Sequence, residues 1–287
     1  MMKYKQSGIA LLQALLITLV IIVMAIGFSY NARDQVEIAA DFVARTEADL
    51  KLDSAKSDIM YWLSVKEVHK IRPSGVPKGW NLYGKPFTLE KGITVSIQDI
   101  AGLYPINLLG EASDRRWLTA IGIPDSQATT IAAGLASIKN QSSSRVGWAS
   151  NDSVKRNMQF LEHEFRVAGV PEQFIGRMSD TATIYPTTYL NPLNMPDNLL
   201  PLLYPRDAVT AVVDARNQGQ LTQSMLRQLT GISNYDRFFM NIQMHPVGLY
   251  RVEVQSEVND IKVNRLLELM LLPRTKPYIY VLQERNV

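Results

Sequence analysis

The stretch Ile9-Ala-Leu-Leu-Gln13-Ala-Leu-Leu-Ile-Thr-Leu-Val20-Ile-Ile-Val-Met-Ala-Ile-Gly27-Phe-Ser-Tyr30 decides how the rest of the chain is read. From Gln6 to Ala32 there is no carboxylate and no basic side chain. A bilayer core of about 30 Å is crossed by about 20 apolar residues in a helix, and this block is long enough. Lys3 and Lys5 precede it, so the positive-inside rule keeps the N-terminus cytoplasmic and sends the remainder across.

Helical spacing continues beyond the apolar block. Val36, Ala40, Val43, Leu50, Ala55, Ile59 and Trp62 recur with Arg33, Asp34, Glu37, Asp41, Arg45, Asp49 and Lys51 between them. No glycine or proline interrupts from Phe28 to Arg72; Lys70 and Arg72 suit a helix C-terminus, and Pro73 stops it. The pattern predicts one helix of about 60 residues, or about 90 Å. Half would lie in lipid, and half would offer a stripe on which other elements pack.

A secretory signal has a shorter apolar core followed by a small-residue cleavage site. Here Met1–Gly8 is a very short basic leader, and the cleavable glycine precedes the apolar run. Leader and helix together resemble the type IV pilin superfamily. The resemblance implies that a prepilin peptidase cuts between Gly8 and Ile9 and that the new N-terminus, Ile9, is methylated. An ordinary single-span anchor with an incidental Gly8 is the competing reading. The fifth residue after the cut is Gln13, where most pilins carry a glutamate that meets the terminal amine of a neighbouring subunit. A carboxylate in lipid costs about 2.5–3.5 kcal/mol on insertion scales, so a subunit without that neighbour gains from an amide. Lacking the glutamate is typical of the minor pseudopilin K family of type II secretion, whose members cap the pseudopilus tip. Read by itself, Gln13 is also compatible with a tolerated polar residue.

The chain has 287 residues, a net charge of +3 and no cysteine, which excludes disulfide and thiolate chemistry and does not point to nucleic acid. After a linker at 73–79, Trp80–Tyr83 and Phe87–Leu89 are short strand candidates, and Ile93–Ile97 alternates as a half-buried strand does. Asp99-Ile-Ala-Gly102-Leu-Tyr-Pro-Ile-Asn107-Leu-Leu follows. In such a run Asp99 and Asn107 cap backbone amides, while Gly102 suits a left-handed turn. It resembles the point where the sheet of pseudopilin K gives way to a helical insertion.

Helical signals then extend to about Phe238. Ser113 would cap Asp114–Ile121, Pro124 would open a helix to Ser137 or Ile138, and Asn140–Lys155 reads as a polar loop. Helices are expected at 158–167, 171–178, 205–216 and 222–229. The run Tyr189-Leu-Asn191-Pro-Leu-Asn194-Met-Pro196 resembles the second asparagine-rich turn of the family. Leu249–Glu257, Ile261–Leu272 and Tyr278–Leu282 read as strands.

The fold expected is α+β, a pilin-like plan in which the long helix packs on an antiparallel sheet that carries a large inserted α-helical domain. The boundaries are a leader at 1–8, a transmembrane segment at 9–30 and its periplasmic continuation at 31–72. First strands follow at 73–102, the insert at 103–238, and the remaining strands at 239–287.

Ala208–Gly231 looks like a helix-hairpin-helix unit, which in other proteins presents hairpin amides to phosphate. Arg216 and Arg227 are its only basic residues, so it reads better as packing, and nucleic acid is not expected as a partner. His69, His163 and His245 lack metal-ligand spacing; Glu162-His163-Glu164 reads as a solvated surface, and no catalytic motif is present. An enzyme is not expected. Pseudopilin K carries calcium on an acidic run after the second helix of its insert. The matching stretch here, Leu135 to Ser150, has no acid and contains Lys139 and Arg145, so no metal cofactor is expected.

The resemblance implies an inner-membrane, single-pass protein with a periplasmic body. Its partners would be other minor pseudopilins in a tip complex, the major pseudopilin, the prepilin peptidase and the inner-membrane assembly platform. A minor pilin of a type IV pilus system is the alternative, distinguishable by gene context.

Overall fold

The structure is a computed structural model, and it describes residues 6–65, 74–106, 110–142, 161–185, 187, 189–231, 241–272 and 278–286. Helix α1 runs Gln6–Val65, 60 residues without a break. The expected end at Lys70–Pro73 lies outside the described residues. This helix is long and apolar enough to cross a membrane. From Leu11 to Val43 every side chain of α1 is exposed, and the large apolar ones from Ile9 to Met24 are each 50% exposed or more. Among the described residues no other segment covers them.

Burial begins at Ala44. Ala44, Ala48, Leu52, Ala55, Ile59 and Leu63, three or four residues apart, form the face that packs on the sheet. The alanines let the helix approach closely, and burying Leu52, Ile59 and Leu63 contributes about 1.5–3 kcal/mol each. The expected stripe is corrected here: Ala55 and Ile59 belong to it, whereas Val36, Val43 and Leu50 point away and are exposed. Arg265, on strand β8 (Ile261–Leu271), sets the seating of the helix. Its guanidinium meets Asp49 at 3.2 Å and also Asp53 on α1, and Glu284 at 3.3 Å on strand β9 (Ile279–Asn286). Lys56 reaches the same Glu284 at 2.6 Å.

Among the described residues the sheet has five antiparallel strands. Besides β8 and β9 they are β1 (Phe87–Glu90), β2 (Ile93–Asp99) and β7 (Leu249–Val258), in the order β1-β2-β7-β8-β9. Ile93, Val95 and Ile97 of β2 and Val252 and Val254 of β7 face α1, as their alternation requires. The β7–β8 hairpin turns at Asn259 and Asp260, both with positive φ (47° and 66°), the twist that tight hairpins favour. Trp80–Tyr83 is not a strand. Asn81 folds that segment into a loop: its Oδ1 accepts from Tyr83 N and Lys85 N, and its Nδ2 donates to the carbonyls of Gly79 and Lys85. Only Tyr83 bridges to Gln98.

Between the neighbouring strands β2 and β7 the chain builds a second core. Its elements are β3 (Tyr104–Pro105), α2 (Glu111–Ala120), α3 (Asp125–Ser142), α4 (Leu161–Val167), α5 (Glu172–Thr181), β4 (Ala182–Thr183), β5 (Tyr189–Leu190), α6 (Arg206–Asn217), α7 (Gln223–Thr230) and β6 (Asn241–Ile242). The four short strands form two parallel pairs, β3 with β4 and β5 with β6.

Trp117 lies at the centre of the insert, stacked on Tyr104 at 4.7 Å, with its indole N–H donating to Thr181 Oγ1 at 3.2 Å. Ser113 does not cap α2. The helix starts three residues earlier than expected, at Glu111 after Gly110, and the neighbouring Asp114 is buried, accepting from Tyr104 OH at 2.8 Å. Burial, with Asp114 beside it, raises the Tyr104 pKa well above the usual phenol value. Helix α3 takes in Asn140–Ser142, which were expected in a loop; the rest of that loop lies outside the described residues. Thr222 does cap α7, accepting from Met225 N, and Gly231 ends it in the left-handed conformation.

Candidate functional site

Two features stand out as places where the fold is organised for a role. The first is the uncovered apolar half of α1, which carries Ile9 and Gln13, both exposed, and follows directly from Gly8. The second is the joint through which the chain leaves the sheet into the insert and returns.

The joint is centred on Asp99, the last residue of β2, which is fully buried and opposite Tyr250 at the start of β7. Its Oδ1 accepts from Ala101 N at 3.3 Å and Val247 N at 3.2 Å, and its Oδ2 from Asn191 Nδ2 and Asn194 Nδ2, each at 2.9 Å. One carboxylate thus holds the exit from the sheet, the asparagine-rich turn of the insert and the segment that re-enters the sheet. Asn191 also accepts from Leu193 N at 3.2 Å, capping the 3-10 turn Pro192–Asn194, and its own N–H donates to Ala101 O at 2.8 Å. Burial pushes the Asp99 pKa up to about 6, while the side-chain donors Asn194 and Asn191 and the amides of Val247 and Ala101 pull it down.

Of the turn residues named from the sequence, Asp99, Gly102, Asn191 and Asn194 meet here, although 92 residues separate Asp99 from Asn191. Asn107 lies outside the described residues. The reason for Gly102 is corrected: its φ is not in the left-handed region. A Cβ there would lie 2.1 Å from the carbonyl oxygen of Asn194. Glycine is required by the closeness of two backbones. Gln98 braces the same contact, donating to Asp99 O at 2.6 Å and Asn194 O at 2.8 Å.

Arg216 is a second staple, and the sequence reading assigned it no such part. Its side chain is 3% exposed. NH1 donates to Met195 O at 2.8 Å and Asp197 Oδ1 at 2.7 Å; NH2 donates to Pro192 O and Leu193 O at 2.9 and 3.0 Å. The Tyr83 ring covers the guanidinium at 4.7 Å. Burial lowers its pKa against the opposing pull of Asp197. A signal was present in the sequence, since Arg216 follows the buried Ala208 and Val212 at successive intervals of four on one helix face.

The helix-hairpin-helix likeness is therefore packing. Arg216 is engaged inside, and the hairpin amides of Gly219 and Gln220 donate to Arg216 O and Ala215 O, each at 2.8 Å, rather than outward.

On the sheet face away from α1, Glu268 is buried and accepts from Tyr185 OH at 2.7 Å and Arg251 Nε at 3.3 Å. Arg251 also donates to Ser179 O at 2.7 Å, tying the insert to the sheet again. The Glu162–Glu164 run is less solvated than its sequence suggests. Glu162 pairs with Arg285 at 3.3 Å, and partial burial raises the Glu164 pKa.

Among the described residues no cluster of three or more His, Cys, Asp or Glu is placed to hold a metal ion. Excess EDTA is expected to leave the melting temperature within about 1 °C, since an ion bound at 100 times its Kd would have contributed about 2.7 kcal/mol. A fall of several degrees in a thermal scan would assign calcium to Asp180 or to residues outside the described ones.

No family model matches this chain, and no curated protein sequence matches it. It is structurally similar to a chain in the crystal structure of the GspK-GspI-GspJ complex from the enterotoxigenic Escherichia coli type 2 secretion system. Identity is 15%, the match covers 84% of this chain and 96% of that one, and the TM-score is 0.48.

Proposed function

We propose that this chain is a minor pseudopilin of type II secretion, a structural subunit without catalysis, which caps the pseudopilus tip and helps to start its assembly. The observation that carries the reading is α1. One continuous helix exposes an apolar half fit for lipid and, from Ala44 onward, buries the other half on a sheet interrupted by a helical insert. The leader at 1–8 would be removed at the membrane, Ile9 methylated, and the body held in the periplasm with the N-terminus cytoplasmic. The exposed length of α1 would pack on the corresponding helices of other minor pseudopilins, of the major pseudopilin and of the assembly platform.

Processing tests this reading. Coexpressed with a prepilin peptidase, the chain is expected to yield a product that begins at Ile9 and carries an N-methyl group, read by intact mass and N-terminal sequencing. Gly8→Glu should block the cut while leaving the protein in the membrane fraction. An uncut chain, or a cut beyond Tyr30, would remove the pilin assignment.

A further inference from the structure

A cavity of about 530 Å³ opens between the loop that leads into β1 and the α6–α7 hairpin, a size usual for ligand sites. Among the described residues its lining includes Lys78, Lys85 and Arg216 and no aspartate or glutamate. Asp197 compensates the charge of Arg216, which leaves the two lysines, both exposed, as the source of positive potential at the mouth. Lys85 reaches across to the hairpin, donating to Asn217 Oδ1 at 2.7 Å. The remaining wall is largely apolar, with Phe87, Leu221 and Met244. Two donors of lining residues, Trp80 Nε1 and Arg216 Nε, are buried and meet no acceptor among the described residues. The cavity thus joins two exposed cations that meet no acid among its described lining to a largely apolar wall.

We propose that this cavity binds an acidic peptide segment of a partner protein, whose carboxylate is taken by Lys78 and Lys85 while an adjacent apolar side chain rests on Phe87, Leu221 and Met244. Charge selects the occupant. A carboxylate satisfies ammonium groups that face no acid in the lining, and an apolar neighbour fills what an inorganic anion would leave empty. The proposal uses only this cavity and holds whether or not the chain belongs to a pseudopilus.

The test uses the full-length chain in detergent micelles and two fluorescein-labelled peptides, Gly-Leu-Glu-Phe-Gly and its glutamine twin Gly-Leu-Gln-Phe-Gly, followed by fluorescence anisotropy. The glutamate peptide is expected to bind saturably, more weakly as salt rises, and at least about tenfold more tightly than the twin. The double variant Lys78→Glu, Lys85→Glu should lose that preference, whereas Lys91→Glu, on the turn between β1 and β2, should keep it. Binding should also move the indole N–H resonance that disappears in Trp80→Phe. Equal binding of the two peptides, no saturation at millimolar peptide, or an unchanged preference in the double lysine variant would each overturn the proposal.

Discussion

Asp99→Ala is expected to cost the chain about 3–5 kcal/mol of stability, because it removes the acceptor that several buried donors share. The carboxylate accepts four hydrogen bonds, from Ala101 N, Val247 N, Asn191 Nδ2 and Asn194 Nδ2, and it is fully buried. Alanine leaves those donors without their acceptor, at about 1–3 kcal/mol for each one left unmade. The insert should loosen before the sheet does, because α1 and the strands keep their own core. Urea unfolding in detergent micelles measures the loss. A change below about 1 kcal/mol, the size of an ordinary substitution, would show that the joint does not depend on this carboxylate.

Asp99→Asn separates charge from shape through its pH dependence. The Asp99 pKa rises from an ordinary carboxylate value of 3.8 to about 6 in the fold, so the native state holds a proton that the unfolded chain releases between those values. Stability from this group therefore falls as pH rises through that window and is level above it. At about 1.4 kcal/mol per pH unit the whole effect is roughly 3 kcal/mol. Relative to wild type, Asp99→Asn should gain stability from about pH 4 to pH 6 and no more beyond pH 7. A difference curve that is flat across the window would mean that the four donors hold Asp99 ionised in spite of its burial.

What the sequence revealed, and what it hid, divides along the range of the interactions. The unbroken run of α1, the alternating strands and the helix expected at 222–229 are written in neighbours one to four residues apart, and those features were legible. Asp99 was legible as a local cap and Asn191 as part of a turn, and each caps a 3-10 turn. That they share one carboxylate was not, because nothing in either segment records the other. Gly102 was assigned to the right place for the wrong reason: its constraint comes from the backbone of Asn194, not from its own φ. Trp80–Tyr83 has the composition of a strand, yet the Asn81 side chain takes over the backbone groups that a strand would pair. Arg216 has the charge of a surface residue, yet in the fold its guanidinium is turned inward onto Asp197 and three backbone carbonyls. The face of α1 that meets the sheet was misplaced in its upper part because Val43 and Leu50 are as apolar as Leu52. Composition alone does not say which side of a helix the body covers.

Gln13→Glu separates a tip subunit from one that repeats along a fibre, and it rests on the pseudopilin reading. Gln13 is exposed on the apolar half of α1, among side chains that no other described segment covers. At the tip no subunit above offers an amine to this position. Glutamate there would enter lipid without a partner, at about 2.5–3.5 kcal/mol. Incorporation into sheared fibres should then fall by about a hundredfold if that cost is expressed in full, at about 1.4 kcal/mol per factor of ten. Gln13→Leu should be nearly silent, since it only exchanges an amide for an apolar group in the same surroundings. In a shaft subunit the signs reverse. Glutamate would meet the terminal amine of a neighbour and raise the number of copies per fibre, while leucine would lower it. Quantitative mass spectrometry of fibres from wild type and both variants decides between them: enrichment with glutamate together with loss on leucine would rule out the tip position while leaving the pilin architecture standing.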